Sequence, residues 1–206
     1  MANTRRATPF SRFLRAQGNT VHRIKVTLCD TRPPVWRRLE VPSDVTLQEL
    51  HHMVQAVFGW QDAHMWAFRA PSGARRPPGR GPAVRSPAAS RLDRIAPGPG
   101  DRLRYTYGFR PGWEHGLLVE AVVHAEPGTV YPRCPAGRRA CPPEDCGGIR
   151  EYAYLLDVLA DPSHEEHTQR LDRLGIESAG QFDPAAFDPA AANGALARFA
   201  TVLAEP

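Results

Sequence analysis

The sequence predicts an α+β fold, with a mostly antiparallel mixed sheet covered by helices and followed by a C-terminal helical segment. Segments in which apolar and polar residues alternate, as they do in half-buried strands, dominate up to residue 124. One amphipathic segment with helical spacing interrupts them, and helical spacing returns after residue 149. Because 42% of the 206 residues are hydrophobic, the chain can build one core, and we expect a single domain over residues 21–206.

The alternating segments predict five strands. Residues 21–28 and 35–41 flank a turn that contains two consecutive prolines, so these two strands are expected to form an antiparallel pair. Three more strands are expected further along the chain, at residues 64–69, 103–107 and 117–124.

The amphipathic segment between the second and third strands predicts a helix over residues 46–58. Thr46 is placed to cap its N-terminus, Glu49 three residues on completes a capping box, and Gly59 ends the helix. After the strands, helical spacing predicts three segments, at about residues 150–160, 163–173 and 186–204. The element order is therefore ββαβββ followed by helices, and its ββα start is similar to β-grasp topology.

Two segments carry too few apolar residues to join a core. Residues 1–20 are polar and arginine-rich, and we interpret them as a disordered basic tail. Residues 71–100 contain seven prolines and are expected to form a flexible insertion. From Arg69 to Arg104 the chain carries nine arginines against two aspartates, a formal charge of +7. Weak, nonspecific binding of nucleic acid is therefore one hypothesis, and a solvated linker is the alternative.

The composition excludes several classes of protein. No segment approaches 18 consecutive apolar residues, so neither a transmembrane helix nor a membrane partner is expected. The N-terminus lacks the apolar stretch of a secretory signal, and we expect a cytoplasmic protein. The net charge of +4 comes almost wholly from arginine, since Lys25 is the only lysine, and we interpret this as compositional bias rather than phosphate binding.

Residues 131–148 hold three of the four cysteines in a segment rich in proline and glycine. Because proline lacks an N–H and glycine opens left-handed conformations, the segment is expected to be a defined loop. The spacing Cys134-x6-Cys141-x4-Cys146 supplies three soft ligands for a candidate zinc site. A histidine would complete the ligand set: His115, His164 or His167. The alternative is that the cysteines are small buried hydrophobic residues.

Histidines and carboxylates also fall near predicted strand ends and in loops: His64, Glu114, His115, Glu144 and Asp145. A histidine beside a carboxylate can act as a general base or help to hold a cation. One hypothesis is therefore a metal-dependent enzyme centred on His115, Glu144 and Asp145. The alternative, which we favour for the two carboxylates, is that they cap the helix that begins near Gly148.

Several short motifs occur in one fixed order along the chain. They are Arg-Pro-Pro-Val-Trp-Arg-Arg from Arg32, Gly-Trp-Glu-His from Gly112, Cys-Pro-Pro-Glu-Asp-Cys-Gly-Gly from Cys141, and His-Glu-Glu-His from His164. From about residue 21 to residue 195 the sequence resembles the plasmid Ri ORF-three-like family, whose members are sometimes labelled TnpR-like insertion-element passenger proteins. The resemblance implies the fold of that family and a plasmid or mobile-element setting, and it implies little chemistry.

One motif departs from the family pattern, because Gly108 and Pro111 stand where the family has aspartates. A serine recombinase would need a nucleophilic serine and an arginine cluster on a parallel sheet, so resolvase activity is not expected here. We expect instead a binding module that contacts an unidentified protein or small molecule through loops 109–115 and 129–148. Its contact residues would be Trp113 and the five histidines and carboxylates named above.

Overall fold

The computed structural model describes residues 20–70, 82–108 and 112–202, with the backbone alone for residues 199–202. Most of the expected tail and residues 71–81 of the expected insertion therefore lie outside the described residues. The described elements, in chain order, are β1 (Thr20–Leu28), β2 (Trp36–Pro42), α1 (Leu47–Phe58), β3 (Trp66–Arg69), α2 (Leu92–Ile95), β4 (Arg102–Tyr107), β5 (Trp113–His124), β6 (Arg133–Arg138), α3 (Ile149–Ala160), α4 (His167–Leu174), a 3-10 turn (Ala179–Gln181) and α5 (Pro189–Val202).

The six strands form one sheet in the order β3-β4-β5-β1-β2-β6, and each neighbouring pair is antiparallel. The predicted α+β class and the predicted pairing of β1 with β2 are confirmed. β1 also pairs with β5, which follows it in the chain only after α1, β3 and β4. The centre of the sheet is thus built from strands that are distant in sequence.

One face of the sheet is apolar and is covered by helices. Side chains alternate along each strand, so Leu28, His115, Tyr105 and Phe68 form one row across four strands, and all four are buried. α1 packs on this face, where the Phe58 ring meets the His115 ring edge to face at 4.8 Å. α5 packs in turn against α1 and β6.

The capping box predicted for α1 is confirmed. The Thr46 hydroxyl accepts a hydrogen bond from the backbone N–H of Glu49 at 3.1 Å, and the Glu49 carboxylate accepts one from the N–H of Thr46 at 2.7 Å. Gly59 ends the helix with a left-handed φ of 74°. A cap of this kind stabilises a helix by about 0.5–2 kcal/mol, which explains why so short a motif predicted α1 well.

The opposite face of the sheet carries charged side chains that pair across the strands. The guanidinium of Arg38 binds the carboxylate of Glu120 at 2.6 Å, and Arg104 lies 3.3 Å from Glu114. Partly exposed pairs contribute at most about 1 kcal/mol each. The pair of Arg104 and Glu114 joins adjacent strands and favours their observed register, whereas the pair of Arg38 and Glu120 reaches across the intervening strand β1.

Residues 82–100 are held by backbone hydrogen bonds to β3, to the start of α1 and to β5, so the prediction that they are flexible is wrong. The backbone N–H of Leu92 donates to the carbonyl of Val45 at 2.8 Å, and Leu92 and Ala96 are fully buried. The prediction weighed the prolines and small residues of this segment. It missed that one leucine and a single helical turn, α2, are enough to dock the chain on an existing core.

β6 runs through the cysteine segment, which was expected to be a loop throughout. It pairs with β2 from Arg138 beside Trp36 to Arg133 beside Glu40. Because β6 is an edge strand, Pro135 can lack an N–H without costing the sheet an inner hydrogen bond. The loop prediction therefore needs correction for residues 133–138.

α3 begins within one residue of its predicted start, whereas α4 and α5 begin later than predicted. Ser163 folds back onto Asp161, whose carboxylate accepts bonds from the Ser163 N–H at 2.9 Å and hydroxyl at 2.6 Å, and α4 starts only at His167. α5 starts at Pro189, a residue that fits the first turn of a helix. Across the described ranges, no helix is long and apolar enough to cross a membrane.

Candidate functional site

Two loops meet at one end of the sheet, and we call them together the loop platform. One comprises residues 59–65, between α1 and β3, and the other residues 139–148, between β6 and α3. The indole Nε1 of Trp60 donates a hydrogen bond to the carbonyl oxygen of Pro142 at 2.9 Å. Trp60 is itself buried, so this bond anchors both loops to the core.

Glu144 lies at the centre of the loop platform. Its carboxylate accepts hydrogen bonds from the Tyr107 hydroxyl and from the backbone N–H groups of Gln61 at 2.6 Å and Ala63 at 3.4 Å. Its carbonyl oxygen accepts a bond from Nε1 of the buried Trp113 at 3.0 Å. Burial, and then the bond to Glu144, raise the pKa of Tyr107 above its ordinary value. Donors from the first loop, β4 and β5 thus converge on one residue.

The capping role predicted for Glu144 and Asp145 is wrong. Gly148, with a φ of 88°, occupies the N-cap position of α3, and no side-chain hydrogen bond caps this described helix. Glu144 is engaged by the first loop of the platform, and Asp145 binds His64. Both carboxylates are thus bound by residues of the first loop, which is distant in sequence, and not by the adjacent helix α3.

The rim of the loop platform is exposed and locally acidic. Nε2 of His64 lies 3.0 Å from Oδ1 of Asp145, and these side chains are 44% and 81% exposed. Met65 beside them is 74% exposed. The two loops contain three carboxylates, those of Asp62, Glu144 and Asp145, against one arginine, Arg139.

The predicted contact residues Glu114 and His115 lie on opposite faces of the sheet, because they are adjacent on β5. Glu114 pairs with Arg104 on the charged face. His115 is fully buried against the rings of Phe58 and Trp60, with no hydrogen-bond partner for either ring nitrogen among the described residues. Burial lowers the pKa of His115 to about 3, so its imidazole is neutral.

His115 is therefore separated from the solvent-exposed rim that Asp145 occupies. The hypothesis of a metal-dependent enzyme centred on His115, Glu144 and Asp145 has no support in this geometry. A buried histidine without a polar partner is packing in the core, and it cannot reach a substrate that approaches from solvent.

The cysteines are free thiols, and among the described residues no three of their sulfur atoms converge on one point. Cys134 is buried on β6, and Sγ of Cys141 accepts a hydrogen bond from Nη2 of Arg37 at 2.9 Å. Burial raises the pKa of Cys134 and Cys146 to about 11 and that of Cys141 to about 12. Within the described ranges, the group of potential metal ligands that converges lies elsewhere.

That group is His51, His52 and Asp62, whose ligand atoms all lie within 4.8 Å of one another. The sequence argument missed it. A signal was present, because His51 lies in the apolar stripe of α1 between Leu47 and Val54, where a polar residue is unusual and needs a partner. The partner, Asp62, follows the end of the helix and could not be assigned without the loop geometry.

His51 joins the core to the loop platform. Its Nδ1 lies 2.7 Å from the Tyr105 hydroxyl, and its Nε2 lies 2.9 Å from Oδ1 of Asp62. Nε2 of Gln55 donates to the same hydroxyl at 2.8 Å, and its amide oxygen accepts the N–H of Asp62 at 3.2 Å. Burial lowers the pKa of His51 to about 4, so the imidazole is neutral at physiological pH.

Fold and site together define a single-sheet α+β protein in which the histidines and carboxylates of two loops collect at one end of the sheet. The chain belongs to the plasmid pRiA4b ORF-3-like family, whose model matches residues 20–191. The resemblance drawn from the motifs is thereby confirmed.

The chain is similar to other proteins, two of which illustrate the family. The uncharacterized protein y4hQ of Sinorhizobium fredii (strain NBRC 101917 / NGR234) is 35% identical over 171 residues, which cover 81% of this chain and 86% of that protein. The crystal structure of the protein of unknown function MM3350 from Methanosarcina mazei Go1 superposes with a TM-score of 0.72 at 30% identity, over 84% of this chain and 98% of that one. Both likenesses extend over most of the chain and support the family assignment.

Proposed function

We propose that the protein is a binding module whose loop platform takes a cationic segment of a partner protein. The observation that carries the proposal is the convergence of four donors on Glu144, which sets the shape of the platform before any partner arrives. A preformed surface loses less conformational entropy on binding than one that must order itself. The exposed pair of His64 and Asp145 is then available for contact.

Local charge supports a cationic partner. The platform loops carry three carboxylates against one arginine, in a chain whose net charge is +4. An acidic patch on a basic protein favours approach of a positive group at that patch alone. The exposed side chain of Met65 adds apolar contact area beside it.

Two further expectations remain part of the proposal. Loop 109–115 is included in the contact surface, although residues 109–111 lie outside the described residues. The module is placed in the cytoplasm, which the free thiols support because a reducing compartment keeps cysteines unpaired.

Nucleic acid is the second candidate partner, and the arginines between Arg69 and Arg104 favour it. Two of these arginines are paired with carboxylates, Arg91 with Asp93 at 2.6 Å and Arg104 with Glu114 at 3.3 Å. Such pairing reduces the charge that a phosphate would meet. Binding through this segment would be weak and strongly dependent on salt.

Fluorescence anisotropy with three labelled probes tests the proposal: an oligoarginine peptide, an oligoglutamate peptide and a mixed-sequence DNA duplex. We expect the oligoarginine peptide to bind at low salt and to dissociate as salt rises. Asp145→Asn should weaken this binding about two- to fivefold, the range expected for one exposed ion pair. Asp157→Asn, at an exposed position of α3 outside the platform, is the matched control and should bind like the wild type.

Two outcomes would contradict the proposal. One is no binding of oligoarginine at low salt, and the other is equal affinity of Asp145→Asn and Asp157→Asn. Salt-dependent binding of DNA without peptide binding would instead favour the nucleic-acid function.

A further inference from the structure

We propose that His51, His52 and Asp62 form a binding site for a first-row transition-metal dication such as Zn²⁺. The site lies where α1 meets the first loop of the platform, and it does not depend on the peptide-binding function. Two imidazoles and one carboxylate are the donor set that such ions accept in proteins when a fourth position is left to water or a substrate.

The distances suit a small coordination shell. Nε2 of His51 lies 2.9 Å from Oδ1 of Asp62, and Nδ1 of His52 lies 3.5 Å from Oδ2 of the same carboxylate. Ligands held about 2.1 Å from a tetrahedral zinc ion are about 3.4 Å apart from one another. With one atom from each residue, the three ligand atoms lie within 4.8 Å of one another, so an ion can enter between them once side-chain rotations shorten the longest separation.

Surrounding residues hold the ligands in place. The Trp66 ring stacks on the His51 imidazole, with centroids 4.0 Å apart and an interplanar angle of 15°. The Tyr105 hydroxyl occupies the other ring nitrogen, Nδ1, at 2.7 Å, which leaves Nε2 to face the site. Ligating histidines usually bond a second group through their other nitrogen, because this fixes the ring orientation.

Asp62 is held in an unusual conformation. Its φ of 59° is left-handed, which a residue with a side chain adopts at a cost in free energy. The amide of Gln55 accepts the N–H of Asp62 at 3.2 Å and donates to Tyr105 at 2.8 Å, so one side chain clamps the aspartate and the hydroxyl behind His51. Strain that the surroundings maintain is often found at functional sites.

Exposure permits entry from one side. The His51 side chain is fully buried, whereas those of His52 and Asp62 are 26% and 35% exposed. The ion would thus rest against a closed inner wall and keep one coordination position toward solvent. The two nitrogen ligands favour Zn²⁺, Co²⁺ or Ni²⁺ over Ca²⁺ or Mg²⁺, which prefer oxygen.

Metal titration of the full-length, untagged protein tests the site. The protein is treated with EDTA, desalted, and titrated with ZnCl₂ by isothermal calorimetry and with CoCl₂ by absorption. We expect one Zn²⁺ per chain. His52→Gln and Asp62→Asn should each weaken the affinity at least about tenfold. His64→Gln is the matched control, since it removes a neighbouring, exposed histidine from outside the group, and it should stay within about twofold of the wild type.

The cobalt spectrum separates this site from the cysteine hypothesis. Nitrogen and oxygen ligands should give visible bands without the near-ultraviolet charge-transfer band that Cys134, Cys141 or Cys146 thiolates would add. Melting curves of the metal-free variants test whether they are folded, and the partly exposed His52 is the safer of the two positions.

Three results would overturn the proposal. They are absence of stoichiometric Zn²⁺ binding, unchanged affinity in both His52→Gln and Asp62→Asn, and a thiolate band in the cobalt spectrum that these two variants leave in place.

Discussion

Two buried histidines, near opposite ends of the sheet, have similar first contacts. His22 lies on β1, six residues and about 20 Å along the strand from Leu28, in whose row Tyr105 meets His51. Nδ1 of His22 lies 2.8 Å from the Ser43 hydroxyl, as Nδ1 of His51 lies 2.7 Å from that of Tyr105. Each side chain is 0–1% exposed.

The two histidines differ in the group that their second ring nitrogen, Nε2, contacts. Nε2 of His22 bonds the carbonyl oxygen of Ala96 at 3.0 Å, and Ala96 is fully buried. Nε2 of His51 bonds Asp62, which is 35% exposed and also contacts His52. His22 therefore ends in the interior and ties the segment after α2 to β1. His51 ends at solvent, beside a second potential ligand. The group beyond the imidazole, more than its burial, distinguishes a structural tie from a candidate site.

The largest expected effect on stability comes from removing the two hydrogen bonds of His22. His22→Leu removes two hydrogen bonds, so the Ala96 carbonyl loses its ring partner in the interior and the Ser43 hydroxyl keeps only its bond from Thr20. The free energy of unfolding should therefore fall by about 2–4 kcal/mol. Urea denaturation monitored by circular dichroism measures this. His124→Leu, at an exposed end of β5, is the control and should change stability by less than about 0.5 kcal/mol. A cost for His22→Leu below about 1 kcal/mol would mean that the tie is unimportant.

The free energy of unfolding should fall at acid pH because of the buried histidines. Burial lowers the pKa of His22, and it lowers that of His115 to about 3, so both are neutral when folded and take up protons on unfolding below pH 6.5. Their contribution to stability is complete above pH 6.5 and is lost as pH falls toward the folded pKa. The slope should reach about 1.4 kcal/mol per pH unit for His115, and His22 should add to it in the same direction. Denaturation midpoints between pH 7.5 and 5 measure it, and a slope unchanged in His22→Leu would contradict the assignment to His22.

The smallest expected effects on stability come from substituting a hydrogen-bond partner of each histidine, Ser43 for His22 and Asp62 for His51. Ser43→Ala leaves Nδ1 of His22 unpaired in the interior and should cost about 1–2 kcal/mol. Asp62→Asn keeps an oxygen for His51 and tolerates the left-handed φ, so it should cost less than about 0.5 kcal/mol without metal. Thermal melts of the EDTA-treated variants give the comparison. Equal losses would remove the distinction between tie and site.

Part of the fold was predictable because the signals are local. The capping box of Thr46 and Glu49 spans three residues, and the alternation in β1 and β2 involves neighbours along the chain. The docking of residues 82–100 was not predictable, because it depends on Leu92 finding Val45 and on His22 finding Ala96, 74 positions along the chain. Composition alone argued for a mobile segment.

The candidate site divides in the same way. The sequence marked His64, Glu144 and Asp145 by residue type, and the structure brings these three to the loop platform. The sequence argument assigned the two carboxylates to α3 because that helix is adjacent. The backbone N–H of Gln61, which binds Glu144, lies 83 positions away. His115 matched the expected chemistry and is buried in the core, since the alternation of β5 directs it there.

The sequence by itself determined the α+β class, the family, α1 with its caps, and which residue types could carry chemistry. Only the tertiary structure decided which of them meet. Periodicity and capping depend on contacts within a few residues, whereas the partners of Glu144, His22 and His51 depend on how β5 returns beside β1 and how the loops close over the end of the sheet. His22 and His51 have different roles because Nε2 of one meets a buried carbonyl and Nε2 of the other meets a partly exposed carboxylate. Which group each ring meets is decided by the tertiary fold.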